Sequence, residues 1–275
     1  MATHVEGDKM AACLPPTLFS IPELVHSILL HLPVRDLLRV QRVCRLWKET
    51  TDHSLALQRK LFFVPVSNAD QEPECNPLLR EVFPPWFPNH YHDSSDIPFS
   101  DDFSPGDLCK TLKWYTDEYR RMRVLSPEAS WRRMFPVQPP PARIEEIYTE
   151  GGCSCFYRIA KGVIREHFQH LQEPGITMGF LWDVGIHVLE EKWEPKTLGL
   201  HWHMFPFIPT EEALKDVHFS RWIEELGPVR NVITMDVRWS NDCYPSGARP
   251  SGLSVGYFDP DIIKWDFDDD GNPGV

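Results

Sequence analysis

Three histidines, His187, His201 and His203, stand where they could hold zinc. If Val184–Val188 and Leu198–Met204 pair as a hairpin around Glu194, His187 faces His201, and His203 follows two residues on along the same face. Three imidazoles on one sheet face would leave a fourth zinc position open. Exposed strand histidines are common, so no bound metal is the plainer expectation. Cys153 and Cys155 with His167 and His170 form a second set. Cys-x-Cys is not the usual zinc spacing, and His-x-x-His on a helix spans a poor angle, so ordinary buried or loop residues are expected there. A third set runs Asp266-Phe267-Asp268-Asp269-Asp270-Gly271, matching the first six positions of an EF-hand calcium loop. The sequence stops at Val275, short of the bidentate Glu position, and an acidic solvated tail is preferred.

The fourth set is cationic. Arg120, Arg121, Arg123, Arg132 and Arg133 fall within fourteen residues. Arginines so placed can grip a phosphorylated or acidic motif through bidentate contacts. A solvated helix face paired with Asp117, Glu118 and Glu128 is the preferred alternative. The sequence has no Gly-rich phosphate loop, no GxSxG elbow and no HExxH. No catalytic residue and no cofactor is therefore expected.

What must position these groups is a chain of 275 residues, enough for one domain or two. Proline accounts for 26 residues, about twice its usual share, and there are ten tryptophans. Together they indicate short elements joined by long ordered loops, since disordered chains are aromatic-poor. The net charge of -12 is unevenly spread. Residues 19–63 carry seven Lys or Arg against four acids, whereas residues 64–275 carry twenty against thirty-four. An acidic body disfavours nucleic-acid binding, which depends on neutralising phosphates. Seven irregularly spaced cysteines argue for a reducing compartment, hence cytoplasm or nucleus. The first twelve residues lack a secretory pattern, and no run approaches the ~20 apolar residues of a membrane span.

The expected architecture is α+β. Residues 1–18 read as a flexible leader, 19–63 as a helical module, 64–106 as a Pro- and aromatic-rich connection, and 107–275 as a mixed, strand-rich body with long Pro-rich loops. Leu108, Leu112, Tyr115, Tyr119 and Met122 recur at helical spacing. Ser126 and Pro127 suit the start of another helix. Leu198–Met204 and Ile233–Trp239 alternate as half-buried strands with one wet face, and Glu211–Leu226 between them reads as a helix. No repeat of 20–50 residues is visible, which disfavours a propeller or a leucine-rich solenoid.

Within the helical module, Ser20 and Glu23 have capping-box spacing. Ile21, Leu24, Val25, Ile28 and Leu32 form one stripe with Leu29 at its edge, but Leu30 lies opposite, and Pro33 stops the helix. Beyond Asp36, Leu37, Val40, Val43, Cys44 and Trp47 share a broad face if the segment is helical, while Leu38 and Leu46 fall among Arg39, Arg42 and Arg45. Both stretches hold more apolar surface than one packing face uses. A module of this size is barely stable alone, and each large side chain left wet forgoes roughly 1.5–3 kcal/mol. A second surface must cover it: the rest of the chain, or another protein. Periodicity leaves both open.

The ordered run Ile21-Pro22-Glu23-Leu24, Ile28-Leu29, Leu32, Asp36-Leu37-Leu38, Val43-Cys44-Arg45-Leu46-Trp47 and Leu61-Phe62 resembles the F-box. Ile21 stands where leucine is commoner in that family, and Leu57-Gln58 where leucine-tryptophan is frequent. The resemblance implies a three-helix unit that binds a Skp-type adaptor and through it a cullin. It also implies that Pro22, Leu24, Ile28, Leu29, Leu32, Leu37, Leu38, Val43, Cys44 and Trp47 divide between core and adaptor contact. The implied function is that of a non-catalytic substrate-receptor subunit of a Skp–cullin–F-box ubiquitin ligase, whose body recruits a protein target for degradation. Neither nucleic acid nor membrane is an expected partner. Two other readings stay open: an adaptor-binding protein outside any ligase, and a ligand- or metal-binding body regulated through its F-box. Asn76-Pro77-Leu78-Leu79, Ser130-Trp131-Arg132-Arg133-Met134 and Val137-Gln138-Pro139-Pro140 look like segments recurring in a fungal group of F-box proteins of unassigned substrate.

Overall fold

A computed structural model describes residues 21–66, 73–87, 95–96, 112–153, 156–190, 195–203, 232–240 and 259–267. The expected cap Ser20, the helix expected over Glu211–Leu226, Cys155 and the tail from Asp268 lie outside them. The chain divides into two compact units, Met1–Leu61 and Phe62–Val275.

In the first unit four short helices stand where three were expected: α1 (Pro22–His31), α2 (Val34–Val40), α3 (Arg45–His53) and α4 (Leu55–Lys60). Prolines set the first two. Pro22 occupies the first turn of α1, where its missing N–H costs nothing, and Pro33 forces Leu32 into extended backbone and ends the helix. The N-cap of α1 is Ile21, which makes no side-chain cap bond. Glu23 instead places its charge in the first turn, where the helix dipole favours it. Ser54 is what splits the third helix. Its backbone is extended, it ends α3, and its hydroxyl accepts from Leu57 N–H at 3.3 Å to cap α4.

The core of this unit is Val25, Leu29, Leu37, Leu57 and Leu61, all fully buried. α1 packs on α3 and α4. Polar ties reinforce it: the His26 ring bonds the Ser54 hydroxyl at 2.7 Å, Gln58 donates to the Thr51 carbonyl at 2.8 Å, and Lys60 Nζ donates to the Leu30 carbonyl. The buried stripe of α1 therefore runs through Val25 and Leu29, one turn apart, and not through Leu24.

The described residues of the second unit form two sheets. A small one pairs β1 (Glu74–Cys75) with β3 (Val137–Gln138) in antiparallel register. A six-stranded mixed sheet has the order β2-β6-β7-β4-β5-β8, with β2 (Ser95–Asp96), β4 (Arg143–Cys153), β5 (Phe156–Ile164), β6 (Pro195–His203), β7 (Val232–Ser240) and β8 (Ile263–Phe267). Only β4 and β7 run parallel among these strands. Helices α5 (Pro77–Val82), α6 (Glu118–Val124) and α7 (Met178–Glu190) complete the described elements, with short 3-10 helices at Pro84–Trp86, Ser130–Arg133, Glu166–Gln172 and Pro260–Ile262.

Register defines one inner face of the large sheet: Leu200 beside Met235, Trp202 beside Ile233, Ile147 beside Met235. All five are buried. The other face of β7 is not wet as expected, because Val232 and Thr234 are buried too. β7 lies between β6 and β4, and a strand flanked on both sides and partly covered on both faces loses the clean alternation of an exposed one.

α7 is buried almost all round, with Met178, Leu181, Trp182, Val184, Ile186, Val188 and Leu189 inside. The hairpin expected from Val184–Val188 is thereby overturned: those residues are helical. A helix covered on every side has no polar face, so its apolar run reads as a strand in the sequence. The helix expected from Leu108 begins only at Glu118 among the described residues, capped by Asp117. Ser126 starts a turn rather than a helix, its hydroxyl accepting from Glu128 N–H at 3.3 Å. No helix among the described residues is long and apolar enough to cross a membrane.

Candidate functional site

The first unit sorts its apolar side chains into two sets. Leu29 and Leu37 are fully buried, whereas Leu24, Val43 and Leu55 are 39%, 64% and 51% exposed. Pro22 and Cys44 are exposed, and Ile28, Leu32, Leu38 and Trp47 are half-buried. The cause is local geometry. Leu24 is about 100° around α1 from Val25, off the face that α3 and α4 cover. Val43 and Cys44 lie in the turn between α2 and α3, where Val43 N–H bonds the Val40 carbonyl at 2.9 Å and Cys44 is extended. A turn at the end of two helices has no layer above it. Leu55 sits in the first turn of α4, two residues before buried Leu57.

Charges on this unit pair locally. Arg45 bonds Glu49 at 2.7 Å, Lys48 pairs with Asp52, and Arg39 reaches Asp36 at 3.4 Å. Exposed pairs of this kind contribute little to stability. The unit thus leaves apolar area exposed with locally paired charges around it.

The five arginines of the body do not act together. Arg132 pairs with Asp183 of α7, and both side chains are less than one-fifth exposed. Burial pushes the Asp183 carboxyl above the ordinary carboxylate range, and the Arg132 guanidinium pulls it back only in part. Arg133 lies over the Phe63 ring at 4.0 Å. Arg121 lies over Tyr115 at 5.4 Å, Arg123 over Tyr119 at 5.6 Å, and Arg120 reaches Asp117 at 3.4 Å. Arg132 is thus part of the fold's interior, while Arg120 and Arg123 remain on the surface.

The histidine set does not share a hairpin. His187 is in α7, whereas His201 and His203 are in β6, opposite Thr234 and Val232. The hairpin that was to join them does not exist. Cys153 ends β4, and His167 and His170 are exposed on the 3-10 helix Glu166–Gln172, the His170 ring bonding the His167 carbonyl at 2.9 Å. Asp266 pairs with Lys161 across β5 and β8, so it belongs to a strand rather than to a calcium loop. Among the described residues no three or more His, Cys, Asp or Glu are grouped to hold a metal ion.

Three segments singled out in the sequence meet in space. Asn76 is fully buried, and its side-chain oxygen accepts from Leu78 N–H at 3.1 Å and Leu79 N–H at 3.2 Å, capping α5. Its amide nitrogen donates to the Phe135 carbonyl at 3.3 Å, and its backbone N–H to the Pro136 carbonyl at 2.9 Å. Trp131 Nε1 donates to the Val124 carbonyl at 2.6 Å, and Gln138 to the Val64 carbonyl at 3.1 Å. These motifs are framework. They also surround an aromatic cluster that no spacing announces: Phe83 lies 4.6 Å from Trp131 and 5.2 Å from Trp182, and Trp182 stacks on Trp86 at 4.6 Å. Asp183 was missed as well. Its signal is a lone acid within the apolar run from Met178 to Leu189.

Comparison with known families bears on the first unit. The family described as F-box-like matches residues 22–64. The chain therefore carries an F-box-like domain, joined to an α+β body. The matched span covers α1 to α4 and runs three residues past the boundary at Leu61, into Phe62–Val64. No curated protein and no solved structure matches the chain.

Proposed function

We propose that the chain is the substrate-receptor subunit of a Skp–cullin–F-box ubiquitin ligase, working in the cytoplasm or nucleus. The F-box-like domain docks the Skp-type adaptor, and the body from Phe62 onward recruits a target protein. The observation that carries this reading is the division of apolar residues within the matched span. Leu29, Leu37 and Leu57 make the core, while Leu24, Val43 and Leu55 stay wet beside exposed Pro22 and Cys44. Leaving three large apolar side chains partly in water forgoes a share of the roughly 1.5–3 kcal/mol that full burial of each is worth, which adaptor binding would recover. Ile28, Leu32, Leu38 and Trp47 are half-buried. The protein itself transfers nothing in this scheme. It raises the local concentration of a target near the ubiquitin donor.

Capture from cells tests the reading. Wild-type chain should bring down adaptor and cullin together. Leu24→Asp with Val43→Asp should lose both while its thermal unfolding stays unchanged, because both positions are exposed. Retention of adaptor by that variant, or adaptor captured without cullin, would count against the ligase role. Leu37 is unsuitable for this test: it is fully buried, and an Asp there unfolds the unit whatever it binds.

A further inference from the structure

We propose that the outer face of α6 is a docking ridge for an acidic protein segment with an apolar anchor; the inference rests on the receptor reading above and names the chemistry of the recruited target. α6 has no buried residue. Tyr119 and Met122 are 67% and 64% exposed, and their spacing of three puts them side by side, with Arg123 on the same face and Arg120 at its edge.

The helix is nevertheless held in place. Asp117 caps its start by accepting from Arg120 N–H at 3.0 Å, and the Val124 carbonyl near its end accepts from Trp131 Nε1. A seven-residue helix has little stability of its own, so these ties hold in place a helix with no fully buried side chain.

Charge selects the occupant. The helix carries three arginines against one acid, Glu118, within a body where acids outnumber bases by fourteen. Arg120 reaches the Asp117 carboxylate at 3.4 Å, which is already engaged as the cap. No ion pair joins Arg123 to a carboxylate among the described residues; its guanidinium lies over the Tyr119 ring. Two surface cations flanking an aromatic and a thioether suit carboxylates next to a Leu or Phe. A nucleic acid fits poorly, because two cations are too few to follow a phosphate backbone and the centre of the ridge is apolar. A ridge of four side chains belongs to small, transient interfaces, and positive charge on it speeds encounter with an acidic partner.

The test uses the full chain and fluorescence anisotropy of a labelled peptide, Asp-Glu-Asp-Glu-Leu-Phe-Asp-Glu-Asp-Glu. Controls are the same peptide with lysine in place of every acid and a single-stranded DNA of twenty nucleotides. The wild type should bind the acidic peptide in preference to both. Arg120→Glu with Arg123→Glu, and separately Tyr119→Ser with Met122→Ser, should each weaken binding about ten-fold or more, with unchanged circular dichroism. Absence of binding by the wild type, equal binding of the lysine peptide, tighter binding of the DNA, or wild-type affinity in either variant would overturn the proposal. Adaptor capture measured in parallel separates the two ideas. Adaptor captured without peptide binding sinks the ridge alone, and peptide binding without adaptor sinks the receptor role alone.

Discussion

Asp183 and Arg132 form an ion pair inside the body, joining α7 to the single turn Ser130–Arg133, and Gly179 lies one turn before Asp183 on the same helix. A Cβ on Gly179 would stand 2.6 Å from the Arg132 carbonyl oxygen. The same short turn is therefore gripped twice by α7, once through shape and once through charge.

Removing the carboxylate tests the pair. Asp183→Asn leaves the Arg132 guanidinium with a neutral partner, and because burial has already raised the Asp183 carboxyl, the loss at neutral pH should be smaller than the about 3–5 kcal/mol typical of breaking a buried pair. Urea unfolding reads the loss. The pH dependence follows from the raised carboxyl pKa. With the folded pKa above the unfolded one, the folded protein binds more protons between the two. The stabilisation this group adds is complete below the unfolded pKa and disappears as pH rises through the folded pKa. Unfolding free energies of wild type minus Asp183→Asn, measured from pH 4 upward, should fall as pH rises. A flat or rising difference would contradict it.

Removing the space should also destabilise. Gly179→Ala gains roughly 1 kcal/mol of helix propensity. It loses about 1–3 kcal/mol because the atom in its way is a backbone carbonyl that cannot rotate aside. The expected result is a lower urea midpoint with an unchanged slope, and a more stable variant would refute the close approach.

Asn76 serves as both donor and acceptor in the interior. Asn76→Ala removes the α5 cap and leaves the Phe135 carbonyl without the side-chain amide, for a combined loss of about 2–4 kcal/mol. Asn76→Asp keeps the acceptor and loses the donor, so its melting temperature should also drop below that of the wild type.

Leu55 and Leu57 share a helix and a residue type but not an environment. Leu57→Ala opens the core of a small unit and should cost about 2–5 kcal/mol. Leu55→Ala should change stability by no more than about 0.5 kcal/mol. Limited proteolysis of residues 22–61 reads this directly: rapid cleavage in the first variant and wild-type resistance in the second.

Much of the first unit was legible in the sequence. Pro22, Pro33 and the apolar spacing set helices that local chemistry alone can start and stop, and an ordered motif from Ile21 to Trp47 needs no tertiary information to be recognised. The same holds for strands β6 and β7, whose alternation reflects one deeply buried face. The sequence also showed that the first unit holds more apolar surface than one face can use.

Which leucines are covered was not legible, because Leu24 and Leu29 are equally apolar and differ only in what packs over them. α7 was misread for a related reason. Burial on all sides erases the polar face that marks a helix, and with it the hairpin that would have gathered His187, His201 and His203. Likewise, five neighbouring arginines were one cluster along the chain. Tertiary structure separated them, drawing Arg132 inward to Asp183 and leaving Arg120 and Arg123 in water. Periodicity records the contrast between a wet and a dry face, so the sequence determined helices and strands wherever that contrast exists. Pairing partners and interior position depend on residues distant along the chain, and only the folded arrangement decides them.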